Sequence, residues 1–153
     1  MASTTQRMAE LGIVLPTVAA PVAAYIPAIR TGNQVWTSGQ LPFADGRLPA
    51  TGKVGSAITA EDAATYARTA ALNALAAIDA LVGIDKVTRV LKVVGFVASD
   101  PDFGGQPTVI NGASNLMVEV FGESGAHARS AVGVAVLPLD SPVEVEVIVE
   151  IAD

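Results

Sequence analysis

Apolar and polar positions alternate most regularly near the end of the chain. Over residues 143–151, Val143, Val145, Val147, Val149 and Ile151 fall on one side of an extended chain. Glu144, Glu146 and Glu150 fall on the other, with Ile148 among them, because successive strand side chains point to opposite faces. Residues 128–136 alternate too, with Ser130, Val132, Val134 and Val136 on one face and Arg129, Ala131, Gly133 and Ala135 on the other. The two segments are joined by Leu137, Pro138, Leu139, Asp140, Ser141 and Pro142 and read as a strand pair. A slip of one residue flips every side chain, so the two Val rows are expected to share the core face. The opposite face then carries Arg129, a lane of small residues that something can approach, and the glutamates. A row of acids reads equally well as a solvated face. In this register Glu144 lies opposite Ala135, about 20 Å along the sheet from Arg129. One chain could then not bring both to a small ligand, which argues for a site built across an interface.

The rest of the chain supplies the partners of these strands. Residues 4–11 suit a short helix ended by Gly12, and residues 13–27, with three prolines, read as irregular. Residues 25–30 and 34–40 read as strands joined at Thr31-Gly32-Asn33, with Trp36 at a core position. A loop over 43–55 precedes a helix capped by Thr59, with Glu61 and Asp62 at the positive end of its dipole. Its buried stripe is Ala64, Ala67, Ala71, Leu75, Ile78 and Val82, and Gly83 is its stop. The small residues of its first half let it lie close to what it covers. Residues 87–99 are Val-rich and read as a central strand buried on both faces. After a loop over 100–107, a second helix spans 108–121 with Val109, Gly112, Leu116 and Val120 on one side, ended by Gly122 to Gly125. The order strand, strand, helix, strand, helix, strand, strand predicts an α+β fold, a mixed sheet with two helices on one face. The 153 residues suit one domain, spanning 1–153, in which 1–20 are an N-terminal extension.

Composition narrows the function. Hydrophobic residues make up 51% and charged residues 16%, and mean hydropathy is +0.50. No apolar run is long enough to span a bilayer, so no membrane partner is expected. The surplus of apolar residues reflects either burial between subunits or simply an abundance of alanine. With no cysteine, disulfides, thiol nucleophiles and Cys-ligated metals are excluded. Residues 1–12 are polar and lack a secretory h-region, so a cytoplasmic location is expected. Nine Lys and Arg against fifteen Asp and Glu speak against nucleic acid, which is bound mainly by neutralising phosphates. His127 is the single histidine, and no pattern of a catalytic triad or zinc site accompanies it.

Several segments together resemble the RidA/YjgF family, also labelled endoribonuclease L-PSP. The segment Ala128-Arg129-Ser130-Ala131-Val132 to Leu137-Pro138, followed by Val143-Glu144-Val145-Glu146, is similar to its C-terminal signature. Thr37-Ser38-Gly39-Gln40-Leu41-Pro42 resembles its early strand motif, with Tyr25 thirteen residues before Ser38. Phe96-Val97 followed by Asp102-Phe103 resembles its central strand and exit. The likeness runs from about Pro21 to the end. The chain departs from it in placing His127 where the family has proline, in the added Gly104-Gly105-Gln106-Pro107, and in a shorter segment after the second helix. These differences suggest a divergent, YjgH-like branch.

The resemblance implies a chorismate-mutase-like fold, a homotrimer with sites in clefts between subunits, no cofactor and no metal. It also implies hydrolysis of reactive enamines and imines, such as 2-aminoacrylate and related 2-imino acids, to 2-keto acids and ammonia. Read alone, Arg129 suits an ion pair with a local glutamate. As a family residue it binds the substrate carboxylate, which its planar fork matches. Glu144 stands at the position of the family's site glutamate, where it would orient water and manage a proton, whereas Glu146 reads as a surface acid. Tyr25 and Ser38 are candidate hydrogen-bond donors to substrate, Tyr25 alternatively closing the cleft by packing. Ala131 offers its backbone N–H, and the site asparagine maps to Asn111, with Asn115 as its rival. His127 is of a residue type that often serves as acid or base but is expected to be an exposed bystander. The same residues also describe a small-carboxylate binding or regulatory module without turnover. The ribonuclease label fits the acidic composition poorly.

Overall fold

The computed structural model describes residues 1–18, 20, 21 and 24–153. The chain forms α1 (Thr4–Glu10), β1 (Ala28–Thr31), β2 (Gln34–Thr37), α2 (Ala60–Val82), β3 (Val87–Ala98), α3 (Gln106–Phe121), β4 (Ala128–Val134) and β5 (Val143–Ile151). The irregular stretch 13–27 holds no helix or strand among its described residues; 19, 22 and 23 lie outside them. Ser3 and Gln6 close a capping box at α1, and Thr5 ties this helix to Asp85 through backbone and hydroxyl bonds of 2.8 and 3.1 Å. The first hairpin is shorter than the pattern suggests. β1 starts at Ala28, and β2 ends at Thr37, whose hydroxyl accepts a bond from the Val147 N–H at 3.0 Å.

The sheet has the order β1-β2-β5-β3-β4. β3 runs antiparallel to β5 and parallel to β4. The expected pairing of β4 with β5 is therefore wrong. The connection Leu137–Pro142 carries the chain over the end of β3, where Ala98 N–H donates to Pro142 O at 2.9 Å. The parity argument fails with the pairing, since it holds only between neighbours. Val132 aligns with Phe96 and Glu144, whereas Arg129 aligns with Val93 and Val147. The Val row of β4 thus lies on the open face with the glutamates, and Arg129 and Ala131 lie on the helix face. β3 is an interior strand, not the central one, which is β5, and it is not buried on both faces: Val90, Val93 and Val97 are buried, Val94 and Phe96 are half-buried, and Thr88 and Arg89 are exposed. Trp36, expected in the core, stands half-exposed on the open face, its indole N–H bonded to Gln34 at 3.0 Å.

Helices α2 and α3 cover the other face. Thr59 accepts the Asp62 N–H and caps α2, and Gly83 ends it at φ 87°. The buried side of α2 is Ala-rich: Ala63, Ala67, Ala70, Ala71, Ala74 and Ala77. The helices consequently pack very closely. A Cβ at Gly112 of α3 would overlap the Ala64 carbonyl oxygen, and one at Gly95 of β3 would overlap the Ile110 side chain. Asn73 is buried mid-helix, and its amide donates to the Leu41 and Phe43 carbonyls at 3.0 and 3.1 Å. It thereby fixes the loop that follows β2.

Gly112→Ala should lower stability although alanine favours helix by about 1 kcal/mol. The obstacle is backbone, so the helices must separate, and overpacking costs about 1–3 kcal/mol. A lower urea midpoint with unchanged slope is expected; a raised midpoint would refute the close-packing account.

Candidate functional site

The residues singled out in the sequence fall into two groups. The first gathers where β2 leaves the sheet. The Ser38 N–H donates to Pro27 O at 2.8 Å and its hydroxyl to Ile26 O at 2.6 Å. Ser38 therefore fastens the strand preceding segment, and its proton is committed to backbone; toward a ligand it offers lone pairs. Tyr25 and Gly39 line a small cavity of about 30 Å³ with Pro27, Gln40, Leu41 and Phe43, room for about one water. The Glu144 carboxylate packs against Gly39 so closely that a Cβ at Gly39 would overlap Glu144 Oε1. A side chain at this position would displace the Glu144 carboxylate from its seat, and no positive φ constrains Gly39. Burial raises the Glu144 pKa above its ordinary value, and Glu146, next on the same face, raises it further. Such a carboxyl can both hold and release a proton.

The second group lies on the outer edge of β4. Arg129 extends over the helix layer, where its Nη1 donates to Asn111 Oδ1 at 2.7 Å and to Ser114 Oγ at 3.3 Å. Asn111, not Asn115, is the asparagine in contact with Arg129. The expected glutamate partner is absent: among the described residues the ion pair is Arg68 with Glu119. The Ser99 N–H donates to Val134 O, so even-numbered residues of β4 turn their backbone groups toward β3. By alternation the N–H of Ala131 points off the free edge, on the same border as Arg129. His127 is half-buried, not an exposed bystander. Its Nε2 lies 2.9 Å from Ser114 Oγ and its Nδ1 2.6 Å from Gly125 O. Ser114 was not anticipated; its spacing of three from Asn111 is the signal that marks a common helix face.

The two groups do not meet within one chain. Arg129 and Glu144 are two strands and three residues apart, about 14 Å from the strand spacing and rise, and they project from opposite faces. No cluster of three or more His, Asp or Glu able to hold a metal occurs among the described residues. No helix among them is long and apolar enough to cross a membrane.

The mixed sheet of order β1-β2-β5-β3-β4, covered on one face by two helices, is a chorismate-mutase-like α+β arrangement. Residues 5–151 match the family described as YjgF/chorismate mutase-like, with an endoribonuclease label, and the chain belongs to this family. Protein TCP17 of Trypanosoma cruzi is 44% identical over 144 residues, 93% of this chain and 90% of that protein. The crystal structure of Atu1372 of Agrobacterium tumefaciens, a protein of unknown function, superposes with a TM-score of 0.88 at 46% identity, covering 97% of this chain and 92% of that one. TdcF of E. coli, solved with bound serine, gives a TM-score of 0.64 at 26% identity over 91% of this chain and 98% of its own.

The raised Glu144 pKa carries a sign for stability. Below the ordinary glutamate value of about 4.5 the group is protonated in both folded and unfolded chains and costs nothing. Above its raised folded pKa the buried charge opposes folding in full. Glu144→Gln should therefore raise the melting temperature at pH 7 and lose that advantage as pH falls below about 4.5. Equal melting at pH 7 would contradict the burial penalty.

Proposed function

We propose that the protein hydrolyses reactive 2-imino acids and their enamine tautomers, such as 2-aminoacrylate, to 2-keto acids and ammonia, in a cleft that two subunits of a homotrimer complete. The observation that carries this reading is Arg129. Its guanidinium meets no carboxylate among the described residues and keeps donors at a free strand edge beside the outward N–H of Ala131. A planar carboxylate fits both. The serine in TdcF is a small molecule with an α-carboxylate, the same chemical class.

In this reading the substrate carboxylate lies on Arg129, and Glu144 of a neighbouring subunit faces the imine carbon. Glu144 orients a water and takes its proton as the oxygen bonds to that carbon. It returns that proton to the nitrogen, giving a carbinolamine; it then takes the carbinolamine hydroxyl proton and passes it to the amine nitrogen as the C–N bond breaks, so that ammonia leaves and the carbonyl of the 2-keto acid forms. A carboxyl whose pKa is raised by burial suits such proton exchange. Tyr25 lines the small cavity beside Gly39, against which Glu144 packs. No metal and no organic cofactor takes part in these steps. A carboxylate-binding module would use Arg129 in the same way and leave Glu144 idle.

Arg129→Ala should abolish pyruvate binding in calorimetry with the fold intact, and Arg129→Lys should fail too because a point charge lacks the fork. Glu144→Gln should leave pyruvate binding nearly unchanged and lower ammonia release from enzymatically generated 2-aminoacrylate at least tenfold, by about the worth of acid–base assistance. Unchanged turnover would place the water elsewhere. No turnover in the wild type on any 2-imino acid would favour the binding module.

A further inference from the structure

We infer that His127 is a positioning residue, which through Ser114 fixes the edge of the Arg129 guanidinium that is offered to a carboxylate. The inference rests on the carboxylate reading of Arg129 above. It starts from Gly125, whose carbonyl can only accept. His127 Nδ1, 2.6 Å away, must therefore carry the ring proton of the neutral imidazole. Nε2 is then a lone pair, and the hydrogen of the Ser114 hydroxyl, 2.9 Å away, goes to it. That orientation leaves the Ser114 oxygen with its lone pairs toward Arg129 Nη1 at 3.3 Å. The bonds run in one direction: Arg129 to Ser114, Ser114 to His127, His127 to Gly125.

The anchor of this chain is rigid. Gly125 is buried, and a Cβ there would overlap the Met117 carbonyl. Its carbonyl is therefore held against the end of α3. At the other end, Nη1 has two hydrogens, and Asn111 Oδ1 and Ser114 Oγ take both. The parallel pair that remains is the N–H of Nε and one N–H of Nη2. A carboxylate is thus received side-on, across the Nε–Nη2 edge, rather than end-on across the two terminal nitrogens. Without the acceptor on His127 the Ser114 hydroxyl is free to rotate, and Nη1 loses one of two restraints. The guanidinium can then turn away from the edge that matches the ligand.

The test uses the full chain, pyruvate as the probe, titration calorimetry and a melting curve for every variant. His127→Ala, His127→Phe and Ser114→Ala should each weaken pyruvate binding by about three- to tenfold, the worth of one hydrogen bond. The His127→Ala, Ser114→Ala double variant should be no worse than either single one, because both break the same chain. His127→Gln, which keeps an acceptor within reach of Ser114, should bind better than His127→Phe, which keeps only the ring. Pyruvate binding unchanged in His127→Ala and Ser114→Ala, with Arg129→Ala inactive in binding, would overturn the inference and leave the carboxylate reading standing. Losses that add in the double variant, or that follow the melting temperature alone with no difference between Gln and Phe, would also overturn it. Pyruvate binding unchanged in Arg129→Ala would overturn both.

Discussion

Side chains alternate across a strand, and neighbouring strands in register share that alternation. β3 links Arg129 to Glu144 through two such registers: Arg129 sits across from Val93, Val93 across from Val147, and Glu144 three residues along from Val147. An odd offset places the two side chains on opposite faces, and no rotamer reverses that. The cationic and acidic halves of the candidate site are therefore separated by the sheet itself. Each half is nonetheless prepared within its own chain. Glu144 is seated against Gly39, and Arg129 is braced by Asn111 and Ser114. The open face, on which Glu144 lies, carries Trp36, Ile148, Val94, Phe96 and Val132 among its charges, more apolar surface than a solvated sheet face needs.

The packing of small residues puts α3 where the arginine needs it. Alanines of α2 and Gly112 of α3 let the helices approach to backbone contact, and Gly95 lets Ile110 rest on β3. α3 therefore lies low over the β3 and β4 edge, and the Asn111 and Ser114 side reaches the guanidinium. Asn73 acts similarly at a distance from the edge: its buried amide satisfies two loop carbonyls and so supports the segment bearing Gly39. Polar groups buried with their partners resist displacement, because breaking either bond leaves a carbonyl unsatisfied.

Local pattern made most elements legible, while arrangement was legible only in part. The period of β5, the cap and stop of α2 and the Val-rich β3 each follow from spacing within a short window. Strand order does not, because alternation defines two faces without naming the neighbour. Two consecutive strands of like alternation read as a pair, although β3 lies between them, and that pairing puts Arg129 on the open face where the structure puts it on the helix face. Valines on β4 mark core in a chain that stands alone; on a face that another subunit can cover, they mark that face as well. Arg129, Glu144 and Asn111 were found through the family's motifs. Ser114 and the bonded state of His127 required coordinates, since a serine on a helix and a lone histidine carry no pattern of their own.

In the proposed assembly each cleft takes Arg129 from one subunit and Glu144 from the next. Arg129→Ala and Glu144→Gln chains, carrying different tags and co-expressed, can be purified through both tags so that only mixed assemblies remain. In a trimeric ring of either composition one cleft of the three combines an intact arginine with an intact glutamate, so about one third of wild-type ammonia release is predicted. Mixed assemblies no more active than the two variants prepared separately would contradict a site shared between subunits.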